Sequence, residues 1–187
     1  MSEKRSPKKS PELLPEMPRK PQAALFTVRK AQASDLPHLQ LLLRLEQMPV
    51  LSDTQLLASI VAVNSEDQPV GAVRIVDVRD TVNPQASASY VYPVVVFREW
   101  RGFGVGRVLL AAALREHGEL RLVACRESRD FYPRCGFEPI AWDKIAGTIA
   151  HDCEACPQLA SCAPQPFAAR LRQGKHQGEP VIKTASD

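Results

Sequence analysis

The sequence predicts an α+β domain built on a mixed, twisted β-sheet with helices on both faces. Three observations carry this reading. Ile60–Val63, the polar turn NSEDQP and Val70–Val78 form a strand–turn–strand pattern of the kind that makes an antiparallel hairpin. Tyr90–Phe97, Val105–His117 and Glu119–Cys125 then form a strand–helix–strand unit. Between the first two of these lies a glycine-rich turn, Arg101-Gly102-Phe103-Gly104-Val105-Gly106.

Taken in order, Leu25–Lys30 reads as a first strand. Ser34 is placed to cap a helix with Asp35 in its first turn, where an acid suits the helix dipole. Leu36, Leu39, Leu42, Leu43 and Leu45 follow at near-helical spacing to about Gln47, a stripe suited to the core, and Pro49 lies beyond the end. Asp53–Ser59 reads as a short helix. In the Tyr90–Phe97 strand, Pro93 lacks a ladder N–H and marks either an edge without a partner or a bulge. Val105, Val108, Leu109, Ala112 and Ala113 share one helical face, and Gly118 stops that helix. A short helix leads to Phe131, and a strand is expected near Phe137–Trp142.

Composition narrows the function classes. The chain has 187 residues, 44% hydrophobic and 24% charged, enough for one domain with a sizeable core. Residues 1–22 hold six basic and three acidic residues, which accounts for the whole net charge of +3. The body is therefore neutral, which argues against a nucleic-acid-binding face. Five of the sixteen prolines also fall in residues 1–22, so this segment is expected to be a disordered basic tail. Residues 23–172 are the expected domain and 173–187 a flexible tail. There is no membrane-length apolar run and no signal-peptide core, and the five cysteines are an odd number with three clustered, so a cytoplasmic protein is expected. Oligomeric state is left open.

The glycine turn has its own chemistry. Glycines allow a tight turn that exposes N–H groups, and the start of the next helix adds a partial positive charge. Turn and helix end together suit a phosphate or pyrophosphate. A second stretch, Phe131-Tyr132-Pro133-Arg134-Cys135-Gly136-Phe137, follows one strand later.

These two stretches resemble the GNAT superfamily of N-acetyltransferases. The pyrophosphate pattern of that family, Arg/Gln-x-x-Gly-x-Gly/Ala, is complete at Arg101–Gly106, and its Tyr-x-x-x-Gly-Phe pattern is complete at Tyr132–Phe137. The resemblance runs from about Leu25 to His151. It implies a mostly antiparallel sheet and acetyl-CoA as cosubstrate, with the acetyl group moving directly to an amine acceptor. It further implies that Arg101, Gly102, Phe103, Gly104, Val105 and Gly106 hold the pyrophosphate. The Arg101 side chain either neutralises it or shapes the turn. Backbone groups of Val94, Val95 and Val96 would pair with the pantetheine arm and polarise the thioester carbonyl. Tyr132 stands where the family keeps the acid that protonates the departing thiolate. Cys125 stands where many members have an asparagine. The general base is not legible: Glu99, Tyr90, Tyr92, Asp77 and a water chain are alternatives.

Cys153, Cys156 and Cys162 form C-x2-C-x5-C, with His151 just upstream. In a loop, that spacing suits a tetrahedral accessory metal site with His151 as fourth ligand, zinc first and an iron–sulfur cluster second. The resemblance places the family's last strand at Pro166–Leu171, so residues 151–164 read as an insertion before it. A catalytic acetyltransferase is the first expectation. A non-catalytic module that senses an acyl-CoA or a metal through the cysteine loop is its rival.

Overall fold

The computed structural model describes residues 25–171. The expectations for residues 1–22 and 173–187 lie outside them. The element order is β1 (Thr27–Lys30), α1 (Leu36–Leu45), α2 (Asp53–Leu57), β2 (Ile60–Val63), β3 (Pro69–Val78), β4 (Ala88–Val96), α3 (Val105–His117), β5 (Glu119–Ala124), β6 (Glu138–Pro139), α4 (Gly147–Glu154), α5 (Leu159–Cys162) and β7 (Gln165–Arg170). Among the described residues one seven-stranded sheet runs β1-β2-β3-β4-β5-β7-β6. Every pairing is antiparallel except β4 with β5.

Sheet and helices are placed by burial. Successive residues of β2 point to opposite faces, and all four are buried, as a strand covered on both sides requires. Ile60 and Ala62 pack in the cluster that holds Val105, Leu109, Leu110 and Ala113 of α3. Val61 and Val63 pack instead with Leu39 and Leu43 of α1 and Leu56 of α2. The β2–β3 turn is pinned by Asn64, whose Oδ1 accepts the N–H groups of Glu66 and Gln68 at 3.0 and 2.9 Å.

Several boundaries differ from expectation, each for a physical reason. Ser34 does not cap α1. A short 3-10 turn, Ala33–Asp35, precedes the helix, and the Asp35 carboxylate accepts the Gln32 N–H at 2.7 Å. That carboxylate is buried and is neutralised by Arg29 at 2.7 Å. Helix α2 carries a reciprocal cap between Ser52 and Gln55, whose N–H groups each bond the other's side chain at 2.9 and 3.3 Å. The strand expected near Phe137–Trp142 shrinks to Glu138–Pro139, since Pro139 has no N–H for the ladder and a 3-10 turn follows at Trp142–Lys144. The cysteine segment is largely helical rather than a loop. Among the described residues no helix is long and apolar enough to cross a membrane.

The feature that shapes the site is the parting of β4 from β5. The two strands pair only at Tyr90↔Arg121. Just beyond, Val91 faces Ile75 and Val94 faces Val73, so β4 spends one extra residue in a bulge at Tyr92–Pro93, whose peptide bond is cis. Pro93 therefore marks both of the alternatives read from sequence: a bulge, and a stretch with no partner strand on the β5 side.

Candidate active site

A cavity of about 560 Å³ fills the opening between β4 and β5. Its walls are Val94 and Val96 of β4, the Arg101–Gly106 turn with the start of α3, and the segment from Ser128 to Cys135.

The sheet register aims backbone groups into this space. Phe97 N–H bonds to Val70 C=O at 3.0 Å, so the N–H and C=O groups of Val96 and Val94 point away from β3, by the alternation of an antiparallel ladder. They face the gap that β5 has left. Val95 points its backbone groups toward β3, and its side chain packs on the opposite face with the α1–α2 cluster. Within the trio, Val94 and Val96 are the residues turned to the cavity.

The glycine turn is built by two different constraints. Gly102 and Gly104 have φ of 86° and 82°, a region that side-chain-bearing residues avoid, and the space around them is open. Gly104 sits at the N-cap of α3 with no side chain capping it, which leaves the first N–H groups of the helix available to an anion. Gly106 serves packing instead: a Cβ there would lie 2.9 Å from Cζ of Phe131. The ring of Phe131 thus rests on the first turn of α3 as a cavity wall. Phe103 is a surface side chain beside the turn, 39% exposed.

The Arg101 side chain is engaged by neighbouring protein groups. Its Nη2 pairs with Glu46 Oε2 at 2.5 Å and its Nε donates to Val96 C=O at 3.2 Å, which ties the turn to the end of α1 and to β4. Two other cations line the cavity, Arg107 and Arg134. The sequence reading missed both. The available signal was position: Arg107 directly follows the glycine turn, and Arg134 lies inside the Tyr132–Phe137 stretch.

Tyr132 lines the same cavity while its ring is buried, 8% exposed. Phe131, Phe137 and Phe167 surround it at centroid distances of 5.2, 5.7 and 6.0 Å. Its carbonyl accepts the N–H groups of Cys135 and Phe137 at 2.8 and 3.1 Å, a reversal that the φ of 84° at Gly136 permits. Burial, with the nearby thiols of Cys135 and Cys125, pushes its hydroxyl up to about 12. The phenol therefore stays protonated and can act as a hydrogen donor at neutral pH.

The candidate bases separate by environment. Tyr90 uses its hydroxyl structurally, donating to Ala86 C=O and accepting the Ala146 N–H, both at 2.8 Å. Asp77 accepts from Ser89 Oγ at 2.5 Å, and Tyr92 is 54% exposed. Glu99 is half-buried, and its Oε2 has no hydrogen-bond partner among the described residues.

The residues expected to hold a metal do not fit one. His151 and Cys153 lie two apart on α4, a spacing that directs side chains to different faces. Among the described residues, no three His, Cys, Asp or Glu side chains converge as a ligand set. Cys162 lies instead against Cys125, with their Sγ atoms 3.1 Å apart. His151, Cys153, Cys156 and Cys162 are thus not brought together as a ligand set among the described residues, and the β5–β7 ladder delivers Cys162 to the turn after β5.

The site is thus a mostly antiparallel sheet parted around a glycine turn, with backbone groups and cations lining the gap. Residues 57–139 match the acetyltransferase (GNAT) domain model. That stretch runs from the end of α2 to β6 and holds both glycine-bearing patterns. A curated relative, the uncharacterized N-acetyltransferase YjhQ of Escherichia coli strain K12, is 37% identical over 40% of this chain and 44% of its own length. The fold also matches N-acetylglutamate synthase from Neisseria gonorrhoeae, solved with coenzyme A and N-acetyl-glutamate, with TM-score 0.63, 16% identity, and coverage of 81% of this chain and 36% of that one. YhbS from Escherichia coli, solved with CoA, matches with TM-score 0.53, 20% identity, and coverage of 82% and 86%. The chain thus spans less than half the length of YjhQ and of the synthase.

Proposed function

We propose that this protein is an acetyl-CoA-dependent N-acetyltransferase acting on an amine, and the parted β4–β5 edge is the observation that carries the reading. The cavity residues fit the cosubstrate. The uncapped N–H groups at the start of α3, with the Gly102–Gly104 turn and the guanidinium groups of Arg107 and Arg134, would hold its pyrophosphate. The outward N–H and C=O groups of Val94 and the outward N–H of Val96 would pair with the amides of its pantetheine arm, the Val96 C=O being held by Arg101. Acetyl-CoA supplies an activated acyl group, and no residue of the chain need become acylated.

The remaining chemistry falls to side chains. The amine attacks the thioester carbonyl, whose oxygen gains charge and is stabilised by a backbone N–H of β4. As the C–S bond breaks, Tyr132 donates its proton to the sulfur. Its raised pKa suits this, since the phenol holds its proton across the physiological range. Of the candidate bases, Glu99 keeps a carboxylate oxygen with no hydrogen-bond partner among the described residues, and we assign it to take the proton of the amine, directly or through water. An odd number of cysteines with three clustered supports a cytoplasmic setting.

The test begins with acetyl-CoA, free CoA and ATP in a thermal-unfolding titration, followed by thiol release across a panel of amines. Acetyl-CoA and CoA should raise the melting temperature and ATP should not. Tyr132→Phe keeps the packed ring and removes the proton, so turnover should fall roughly 10²- to 10⁴-fold with the ligand-induced rise intact. Because the folded-state pKa is raised above the phenol's ordinary value, activity should show no alkaline loss below about pH 10 from this group. No rise at millimolar acetyl-CoA would refute the cofactor site. Binding without turnover over the whole panel would favour the sensing module.

A further inference from the structure

The thiol cluster that fits no metal has a geometry of its own. Strands β5 and β7 are antiparallel, with Ala124 opposite Gln165. One further step along that register sets Cys125 opposite Pro164, two residues from Cys162. The ladder therefore brings the end of the α4–α5 insertion to the turn that follows β5. There the two Sγ atoms lie 3.1 Å apart, with Cys125 exposed and Cys162 half-buried. Cys153 lies near enough to Cys162 and Cys156 to interact with both thiols.

We propose that Cys125 and Cys162 form a reversible redox pair that takes low-molecular-mass disulfides as oxidant. The Cys125 thiolate attacks one sulfur of R–S–S–R, whose S–S bond breaks; one R–S⁻ leaves and a mixed disulfide forms on Cys125. The Cys162 thiolate then attacks the Cys125 sulfur, the protein disulfide closes and the second R–S⁻ leaves. Two protein thiols are oxidised, one small disulfide is reduced to two thiols, and the two protons pass to the leaving thiolates. A disulfide needs its sulfurs about 2 Å apart, so closure draws Cys125 roughly 1 Å toward the insertion.

That movement reaches the proposed acyl-CoA cavity. The carbonyl of Cys125 accepts both the N–H and the Oγ–H of Ser128 at 3.0 Å, and Ser128 lines the cavity. Cys125 also lies close enough to influence the Tyr132 hydroxyl. Oxidation thus ties the cavity rim to the insertion; this coupling, unlike the pairing itself, rests on reading the cavity as an acyl-CoA site.

The experiment uses the full-length protein, reduced and then exposed to oxidised glutathione or to CoA disulfide. Peptide mapping should find one cross-link, Cys125 to Cys162, reversed by dithiothreitol. Cys162→Ser should instead accumulate a mixed disulfide on Cys125 that the wild type does not retain. Cross-linking by one oxidant alone would identify the source of the small disulfide. A bond between Cys153 and Cys156, no bond at all, or stoichiometric zinc or iron on these thiols in the purified protein would overturn the pairing. Calorimetric titration with CoA should then show affinities of the reduced and oxidised forms differing by about fivefold or more. Equal affinities would refute the coupling alone, and binding by neither form would refute the acyl-CoA reading while leaving the mapped cross-link standing.

Discussion

Gly71 lies where the sheet meets the start of α3, and its replacement by alanine tests how the cofactor turn is seated. A Cβ at this position would lie 3.0 Å from Val95 O, 3.1 Å from Val105 Cγ1 and 3.1 Å from Val96 Cγ2, where ordinary contact is 3.4–4 Å. One of these atoms is a ladder carbonyl and the other two belong to the cavity wall, so relief requires α3 to lift at its N-terminus. A buried methyl would ordinarily contribute about 0.8 kcal/mol, but overpacking costs about 1–3 kcal/mol, and the clash should prevail. A net loss of roughly 1–2 kcal/mol lowers the melting temperature by about 2–8 °C. Lifting Val105 also spoils the anion site, and a tenfold weaker acetyl-CoA affinity removes about 1.4 kcal/mol of ligand-derived stability. Gly118→Ala is the control. Its φ of 75° in open space makes it costly through backbone strain alone, at about 1–2 kcal/mol, and it lies at the other end of α3. Thermal unfolding with and without acetyl-CoA should therefore show similar losses in the apo proteins and a smaller ligand-induced rise only for Gly71→Ala. Equal ligand-induced rises in the two variants would refute the argument that Gly71 seats the turn.

Three further changes probe charge. Arg107→Gln and Arg134→Gln should each weaken acetyl-CoA by about fivefold, roughly 1 kcal/mol, with the difference from wild type shrinking at high salt; salt-independent losses in calorimetric titrations would count against ionic recognition. Arg29→Met strands the buried Asp35 carboxylate, whose side chain is 2% exposed, with the Gln32 N–H still donating to it. Partial exposure of Arg29 places the cost at about 2–3 kcal/mol, a fall of about 4–12 °C in melting temperature, and adding Asp35→Asn should recover part of it. An unchanged melting temperature for Arg29→Met would show the pair to be dispensable.

The sequence by itself determined what depends on neighbours along the chain. The limits of α3, Val105–His117, follow from apolar spacing closed by Gly118, and β2 follows from four apolar residues before a polar turn. The Arg101–Gly106 and Tyr132–Phe137 patterns were legible because positive φ at Gly102, Gly104 and Gly136 excludes most other residues. Where a residue answers to a distant partner, local pattern said little. Asp35 looked like an ordinary first-turn acid, yet it is committed to Arg29 across a strand end. Gly106 looked like a third turn glycine, yet it makes room for Phe131. Only the register of β3 against β4 decided that Val94 and Val96, not Val95, turn their backbone groups to the gap. Likewise, C-x2-C spacing promised a local ligand set, but helix geometry turned His151 and Cys153 apart, and the β5–β7 ladder set Cys162 beside Cys125, 37 residues away in the chain. Spacing fixes direction only within one element; between elements the sheet register decides which side chains meet.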